Sequence, residues 1–302
     1  MIKAEAIRLG FSACGIAQAD RIDARNAAAF CQWIQEGHHA TMDYMANNME
    51  KRLDPRLLHP ECKSVISMAL NYYPKQRLAP DQLQFAYYAY GKDYHDIMKQ
   101  MMRQLSEYIL SMLPDASLKL CCDTVPILDR YWAWKAGLGW IGKNTSLIIP
   151  HAGSFFFLCE ILIDKTLDYD SPMPSHCGNC TRCLQSCPTK ALAMPYSIDT
   201  RKCLSFLTIE NRSYERLPAL EGGNCIYGCD RCQQACPHNK FAQPTADMRL
   251  QPSEEFLNMR PSDWRSLTIE QYRRLFKGSA VKRAKYEGLM RNIRSIDRNM
   301  EE

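Results

Sequence analysis

Fifteen cysteines are present, and nine of them crowd between positions 177 and 236: Cys177, Cys180, Cys183, Cys187, Cys203, Cys225, Cys229, Cys232 and Cys236. The run C-G-N-C-T-R-C-L-Q-S-C-P, Cys177 to Pro188, has the C-x2-C-x2-C-x3-C-P spacing that holds 4Fe-4S clusters in bacterial ferredoxins. Three closely spaced thiolates wrap one cluster, and the fourth, before the proline, faces away and ligates a neighbour. Two clusters are therefore implied. The run C-I-Y-G-C-D-R-C-Q-Q-A-C-P, Cys225 to Pro237, repeats the closing C-x2-C-x3-C-P and supplies the reciprocal half. Cross-ligation assigns Cys177, Cys180, Cys183 and Cys236 to one cluster. The second takes Cys187, Cys229 and Cys232, with Cys203 and Cys225 competing for its fourth position, because Cys225 stands one residue too far from Cys229 for the standard spacing. A pair of four-cysteine zinc sites is the alternative, but zinc modules rarely need a third and fourth thiolate ending in Cys-Pro.

The chain of 302 residues is 46% hydrophobic and 24% charged, ordinary figures for a soluble globular protein with a sizeable core, and they exclude disorder as the main state. Lys3, Glu5 and Arg8 interrupt the opening run where a secretory signal needs apolar residues. Phe155 to Ile163, the most apolar segment, is broken by Glu160 and falls far short of the roughly 20 residues of a membrane helix. A cytoplasmic protein without membrane contact is expected, and in that compartment thiols stay reduced and read as metal ligands. The net charge of +5 is mild, so any nucleic-acid surface must be local. One stretch qualifies. Arg273, Arg274, Lys277, Lys282, Arg283, Lys285, Arg291 and Arg294 stand against the single acid Glu287, a pattern suited to RNA phosphates.

The elements that must position these groups follow from periodicity. Ala24 to Met49 has helical spacing with a break at Gly37, and Tyr94 to Leu113 carries Ile97, Met101, Leu105, Tyr108 and Met112 on one stripe. Lys63 to Tyr73 reads as a buried strand stopped by Pro74. Pro126 suits the first turn of a helix that ends at Gly137 and Gly139. T-S-L-I-I-P and S-F-F-F-L-C-E-I-L-I then read as two strands joined at H-A-G, a hairpin completing a sheet. Residues 164 to 176 form a proline-containing linker, and from about Met248 the chain turns helical and charged. An electron wire alone would be a small ferredoxin. Here about 160 residues precede it, so the first domain is where something is reduced.

Those residues resemble a known family. D-T-V-P-I-L-D-R, K-A-G-L-G-W-I-G-K-N-T-S-L-I and G-S-F-F-F-L, between Asp123 and Leu158, look like epoxyqueuosine reductases, the QueG family. Upstream, R-L-D-P, K-S-V-I-S-M-A-L-N-Y-Y and Y-A-Y-G-K-D-Y-H fit the same family; downstream, C-L-S-F-L-T-I-E and G-S-A-V-K-R fit it too, in order from about Arg52 to Asn292. The fold expected is an α/β (α+β) cobalamin-binding domain at residues 1–165, a bacterial-ferredoxin-like double 4Fe-4S module at 166–245 and a basic helical segment at 246–302. The resemblance implies an oxidoreductase of the last step of queuosine biosynthesis, reducing epoxyqueuosine at the wobble position of a tRNA anticodon to queuosine. Cobalamin and two 4Fe-4S clusters would be its cofactors. Its partners would be the tRNA anticodon loop and an unidentified electron donor, and the protein would act as a monomer.

In the family the extra cysteine between the motifs completes the second cluster. That cysteine corresponds to Cys203 and leaves Cys225 spare. The proton donor maps onto Asp123. An epoxide oxygen leaving as alkoxide needs a proton, which a positioned carboxylic acid can supply, and burial beside aromatic and corrinoid surface would raise its pKa. Read without the family, Asp123 is an N-cap for the helix entered at Pro126. Cofactor contacts are expected from Arg52, Tyr88, Asp93, Tyr94, Asp123, Lys143, Asn144, Ser154 and Ser205. The lower-ligand motif D-x-H-x-x-G is not completed at Asp93-Tyr94-His95, since Met98 replaces its glycine; the family binds its corrinoid without a protein histidine on cobalt. Two rivals share the cysteine motif: a reductive-dehalogenase-like corrinoid enzyme acting on a small molecule, and a non-catalytic electron carrier. D-T-V-P and the basic end argue against the first.

Overall fold

Every residue from Ser64 to Leu70 is buried, so the strand Ser64–Asn71 (β2) belongs inside a sheet. The computed structural model describes residues 1–213 and 215–296. In it β2 pairs antiparallel with Ala13–Gln18 (β1) on one side and with Phe156–Ile163 (β7) on the other. Leu118–Cys121 (β4) adds to β7, giving the order β1-β2-β7-β4 with every neighbour antiparallel, an α+β arrangement. The helices Ile2–Arg8 (α1) and Tyr94–Met112 (α4) share one core with Ile66, Met68 and Phe157. Trp132 and Ala133 of Asp129–Lys135 (α5) pack in a second core with Val65, Ala69 and Leu162, against which Phe30 of Ala24–Gln35 (α2) also rests. A short helix, Met49–Leu53 (α3), carries Arg52.

The strand over 63–73 and the helix over 94–113 form where their periodicity places them. Two other expectations do not hold. The helix expected from Pro126 starts only at Asp129, because the Thr124 and Ile127 amides close tight turns onto the Cys122 and Val125 carbonyls and leave 122–128 a loop. The expected hairpin also divides. Leu147–Ile148 (β6) pairs with Trp140–Ile141 (β5) in its own two-stranded sheet while β7 joins the main sheet, and only an Ile149–Gly153 bridge links the two. Gly139 permits the first pairing, since a Cβ there would strike the Ile148 carbonyl oxygen.

In the cysteine-rich segment each motif contributes one turn of helix, Arg182–Gln185 (α6) and Arg231–Gln234 (α8), and the two pack together. Between them Leu204–Ile209 (α7) begins directly after Cys203. Cys225–Tyr227 (β8) runs parallel to Gln84–Phe85 (β3) from the first segment. Phe85 in turn meets the rings of Phe256, Trp264 and Phe276 in the C-terminal helices at 5.1, 5.0 and 5.8 Å. From the last described helix, Lys285–Ile296, the buried Asn292 amide donates to the Thr208 and Ile226 carbonyls. One hydrophobic core therefore runs through all three segments. Residues 297–302 of the expected C-terminal segment lie outside the described residues. Among the described residues no helix is long and apolar enough to cross a membrane.

Candidate active site and cluster module

Asp123 sits in the 122–128 loop with φ 55°, a left-handed conformation that aspartate tolerates better than most residues. Its Oδ2 lies 2.8 Å from Nε2 of His95, whose Nδ1 lies 2.6 Å from Oδ1 of Asp93. Asp93 also caps α4 by accepting the His95 amide at 3.1 Å, so the first turn of that helix orients the ring. Hydrogen bonds to Asp123 and then to Asp93 favour the imidazolium and raise the His95 pKa to about 9. The same His95 hydrogen bond holds Asp123 below the usual carboxylate range. With its side chain 58% exposed and a cation as its neighbour, Asp123 in this loop is the ionised partner of the pair. Asp123 does not cap a helix, since α5 is preceded by Leu128 at that position.

The pH window of this network follows from the directions. His95, raised from 6.5, contributes fully below that value and ceases to contribute as pH rises through about 9. Asp93 and Asp123, lowered from 3.8, contribute above that value and cease to as pH falls through their lowered pKa values. His95→Gln is therefore expected to lower the melting temperature at pH 7 and to leave it level with the parent at pH 10. An equal gap at both pH values in thermal melts would show that the charge on His95 contributes nothing.

Other expected contacts gather around the same network. Tyr94 stacks on Phe157 with centroids 4.1 Å apart and on His95 at 4.2 Å. The Tyr88 hydroxyl donates to the Tyr227 hydroxyl at 3.3 Å. Arg52 is buried and spends its guanidinium on the Asn47 and Tyr44 carbonyls, which fixes the 44–47 turn. The side chains of Tyr44 and Asp123 fall within the field of Arg283, which pairs with Glu210 through two bonds of 2.8 and 2.7 Å. Below the loop, Asp129 meets Glu160 of β7, which is fully buried and accepts the Ser67 hydroxyl at 3.1 Å. Burial raises both carboxyls, Asp129 to about 6 and Glu160 further, so the pair retains a proton. Sequence reasoning assigned His95, Glu160 and Asp129 no role. The available signal was the polar Glu160 in an otherwise apolar strand.

Lys143, Asn144 and Ser205 instead hold the cysteine loops. Lys143 donates to the Gly178 and Cys180 carbonyls at 2.6 and 3.0 Å, and Asn144 to the Cys232 carbonyl at 3.4 Å. The Ser205 hydroxyl accepts the Cys229 amide at 3.1 Å. Ser154 gives its amide to Asn239 Oδ1 at 2.7 Å, beside Gly153, where φ is 88° and a Cβ would collide with Asn239.

The motif thiols lie within one another's fields. Burial and the nearby Cys236, Cys177 and Cys180 sulfurs push Cys183 up. Burial, then Cys203, Asp230, Cys187 and Cys183, push Cys232 to about 12, and Cys229 feels Cys232. Cys225 is hydrogen-bonded to Cys229 and lies in the field of Arg231. Among the described residues no three His, Cys, Asp or Glu side chains converge as a single ion demands; a 4Fe-4S core is broader and takes four separate thiolates.

Known proteins resemble this chain along most of its length. Residues 52–124 match the family model described as Epoxyqueuosine reductase QueG, DUF1730, and residues 176–239 match the 4Fe-4S double cluster binding domain. The epoxyqueuosine reductase of Cellulophaga algicola is 42% identical over 296 residues, covering 97% of this chain and 96% of that relative. That of Leadbetterella byssophila is 43% identical over 295 residues, again covering 97% and 96%. A crystal structure of epoxyqueuosine reductase with an epoxyqueuosine-modified tRNA-Tyr stem loop superposes with a TM-score of 0.86 at 27% identity, over 97% of this chain and 78% of that one. The Bacillus subtilis enzyme with its catalytic aspartate loop swung out of the active site gives 0.85 at 26% identity, over 97% and 78%. The chain belongs to the epoxyqueuosine reductase family.

Proposed function

We propose that this oxidoreductase reduces epoxyqueuosine to queuosine at the wobble position of tRNA, consuming two electrons and two protons and releasing water. The observation that carries the reading is an aspartate in the family's D-T-V-P segment, hydrogen-bonded to a protonated histidine and joined through one core to a double-cluster cysteine module. Cys177, Cys180, Cys183 and Cys236 would hold one cluster, and Cys187, Cys203, Cys229 and Cys232 the other. Cobalamin, when bound, supplies a low-potential metal centre that cysteine-ligated clusters can reduce. Both ring nitrogens of His95 are taken by carboxylates, so it offers no lone pair to cobalt. A corrinoid here would be bound without a bond from this histidine to its metal. Tyr88 and Tyr94 would supply aromatic surface and Asp93, Asp123 and Ser154 polar partners, Arg52 would hold the 44–47 turn beside them, and Lys143, Asn144 and Ser205 would set the distance to the clusters. Domain limits of 1–165, 166–245 and 246–302, a cytoplasmic location and a monomeric state complete the proposal.

Asp123 would give its proton to the departing epoxide oxygen. In the exposed loop that proton resides on His95 Nε2. Covering the loop with substrate removes water from the carboxylate, raises its proton affinity and draws the proton along the 2.8 Å Nε2–Oδ2 hydrogen bond to Oδ2. Anaerobic assay of the cluster- and cobalamin-loaded protein with epoxyqueuosine tRNA tests the reading, with queuosine scored by nucleoside mass spectrometry. Absence of product would exclude it.

The basic stretch is smaller than its sequence suggests. Arg274 pairs with Glu255, Arg283 with Glu210, and the buried Arg291 donates to the Leu207, Asn211 and Ser213 carbonyls. Arg273, Lys277, Lys282, Lys285 and Arg294 remain exposed. Lys277 adjoins the active site, because its carbonyl accepts Lys92 Nζ at 3.2 Å and Gly278 accepts the Asp93 amide at 2.7 Å. Lys277→Glu with Lys282→Glu is expected to weaken anticodon stem-loop binding about tenfold at low salt and to flatten its salt slope by about 2. Fluorescence anisotropy at two salt concentrations measures both, and an unchanged slope would place the RNA elsewhere.

A further inference from the structure

Two cavities, of about 840 and 630 Å³, adjoin along Arg77, Tyr87 and Gln234, which line both. Asp123, His95 and Tyr94 line neither. Cys229 lines the first and Cys236 the second, so one cysteine assigned to each cluster borders the groove. Its charge is one-sided. Lys75, Arg77 and Arg231 border the first cavity, and Arg77, Arg182 and Lys240 the second.

Among the described residues none of these five cations has a carboxylate partner. Arg77 donates to the Tyr73 hydroxyl at 2.8 Å and Arg231 to the Asn224 amide oxygen at 3.1 Å, while Lys240 sits 4.7 Å over the Phe241 ring. The acid in the lining, Asp230, is 7% exposed and accepts the Tyr87 amide at 2.7 Å, so it neutralises none of them at the surface.

We propose that this groove docks an acidic one-electron carrier protein, which reduces the clusters here. The inference rests on the two-cluster reading above. Each turnover takes two electrons from two reduced carrier molecules, or from one carrier reduced twice; with two protons they convert the epoxide to the alkene and water. Unpaired cations around a concave, cysteine-bordered surface raise the encounter rate of an acidic partner, and the effect falls with ionic strength. RNA phosphates would also seek these cations. The reacting base must reach Asp123, however, and Asp123 does not line the groove.

The probe is a reduced plant-type 2Fe-2S ferredoxin, a low-potential one-electron carrier. Lys75→Glu with Lys240→Glu, and separately Arg182→Glu, are compared with the parent, each loaded with clusters and cobalamin. At low salt, ferredoxin-driven bleaching of the clusters in stopped flow is expected to slow at least about tenfold. Calorimetric affinity for oxidised ferredoxin should fall in step, and the differences should close at high salt. Iron, cobalamin content, dithionite bleaching and stem-loop affinity should match the parent. Unchanged ferredoxin kinetics in both variants would overturn the proposal, as would a matching loss of stem-loop or cobalamin affinity. A parent that binds no iron would sink the two-cluster reading itself, and a parent that bleaches with dithionite but not with ferredoxin would sink only the docking proposal.

Discussion

Asp123→Asn is expected to retain both clusters and tRNA affinity while turnover falls about 10²- to 10⁴-fold, the range that a positioned general acid contributes. The amide keeps an oxygen facing His95 Nε2 and so preserves the 2.8 Å contact, but it carries no transferable proton. A purely structural role would show otherwise, in a lowered melting temperature and near-parental chemistry. Single-turnover product formation across pH adds a second readout. The parent rate should fall as pH rises through about 9, where His95 releases the proton that Asp123 draws upon. His95→Gln should remove that fall and slow the reaction at every pH. Parental single-turnover rates in Asp123→Asn would place the proton donor elsewhere.

Cys203→Ser is expected to cost about half of the iron, and Cys225→Ser none. Both thiols are near the second motif, but they stand differently. Cys203 acts on Cys232 and feels Cys187, two other thiols of that cluster, whereas Cys225 is tied to Cys229 and the Arg231 guanidinium. Iron quantitation and the electron paramagnetic resonance of the reduced protein separate the two variants. Equal iron loss in both would mean that Cys225 shares the ligation.

The legible parts of the sequence were those with local causes. Cluster spacing is local because one short segment must wrap one inorganic core, and the 94–113 helix is local because its stripe spans about four turns. Pairing is not local. T-S-L-I-I-P has strand composition, but its partner is the Gly139 neighbourhood upstream rather than the longer strand downstream. The Asp123 environment was illegible for the same reason: His95 stands 28 positions away, and its hydrogen bond lowers the aspartate's pKa. Three of the eight arginines and lysines in the basic stretch were likewise claimed by Glu210, Glu255 and backbone carbonyls from other segments.

The shared core limits how such an enzyme can be recombined. A ferredoxin grafted in place of residues 166–245 would strip β3 of the strand it lies beside and leave the buried Asn292 amide without its two carbonyl acceptors. An unmet buried amide costs about 1–3 kcal/mol, a large part of the margin by which a domain stays folded. A working chimera must therefore exchange Gln84–Phe85 and Lys285–Ile296 together with the cysteines, so that the electron wire and the chemistry it feeds are inherited as one unit.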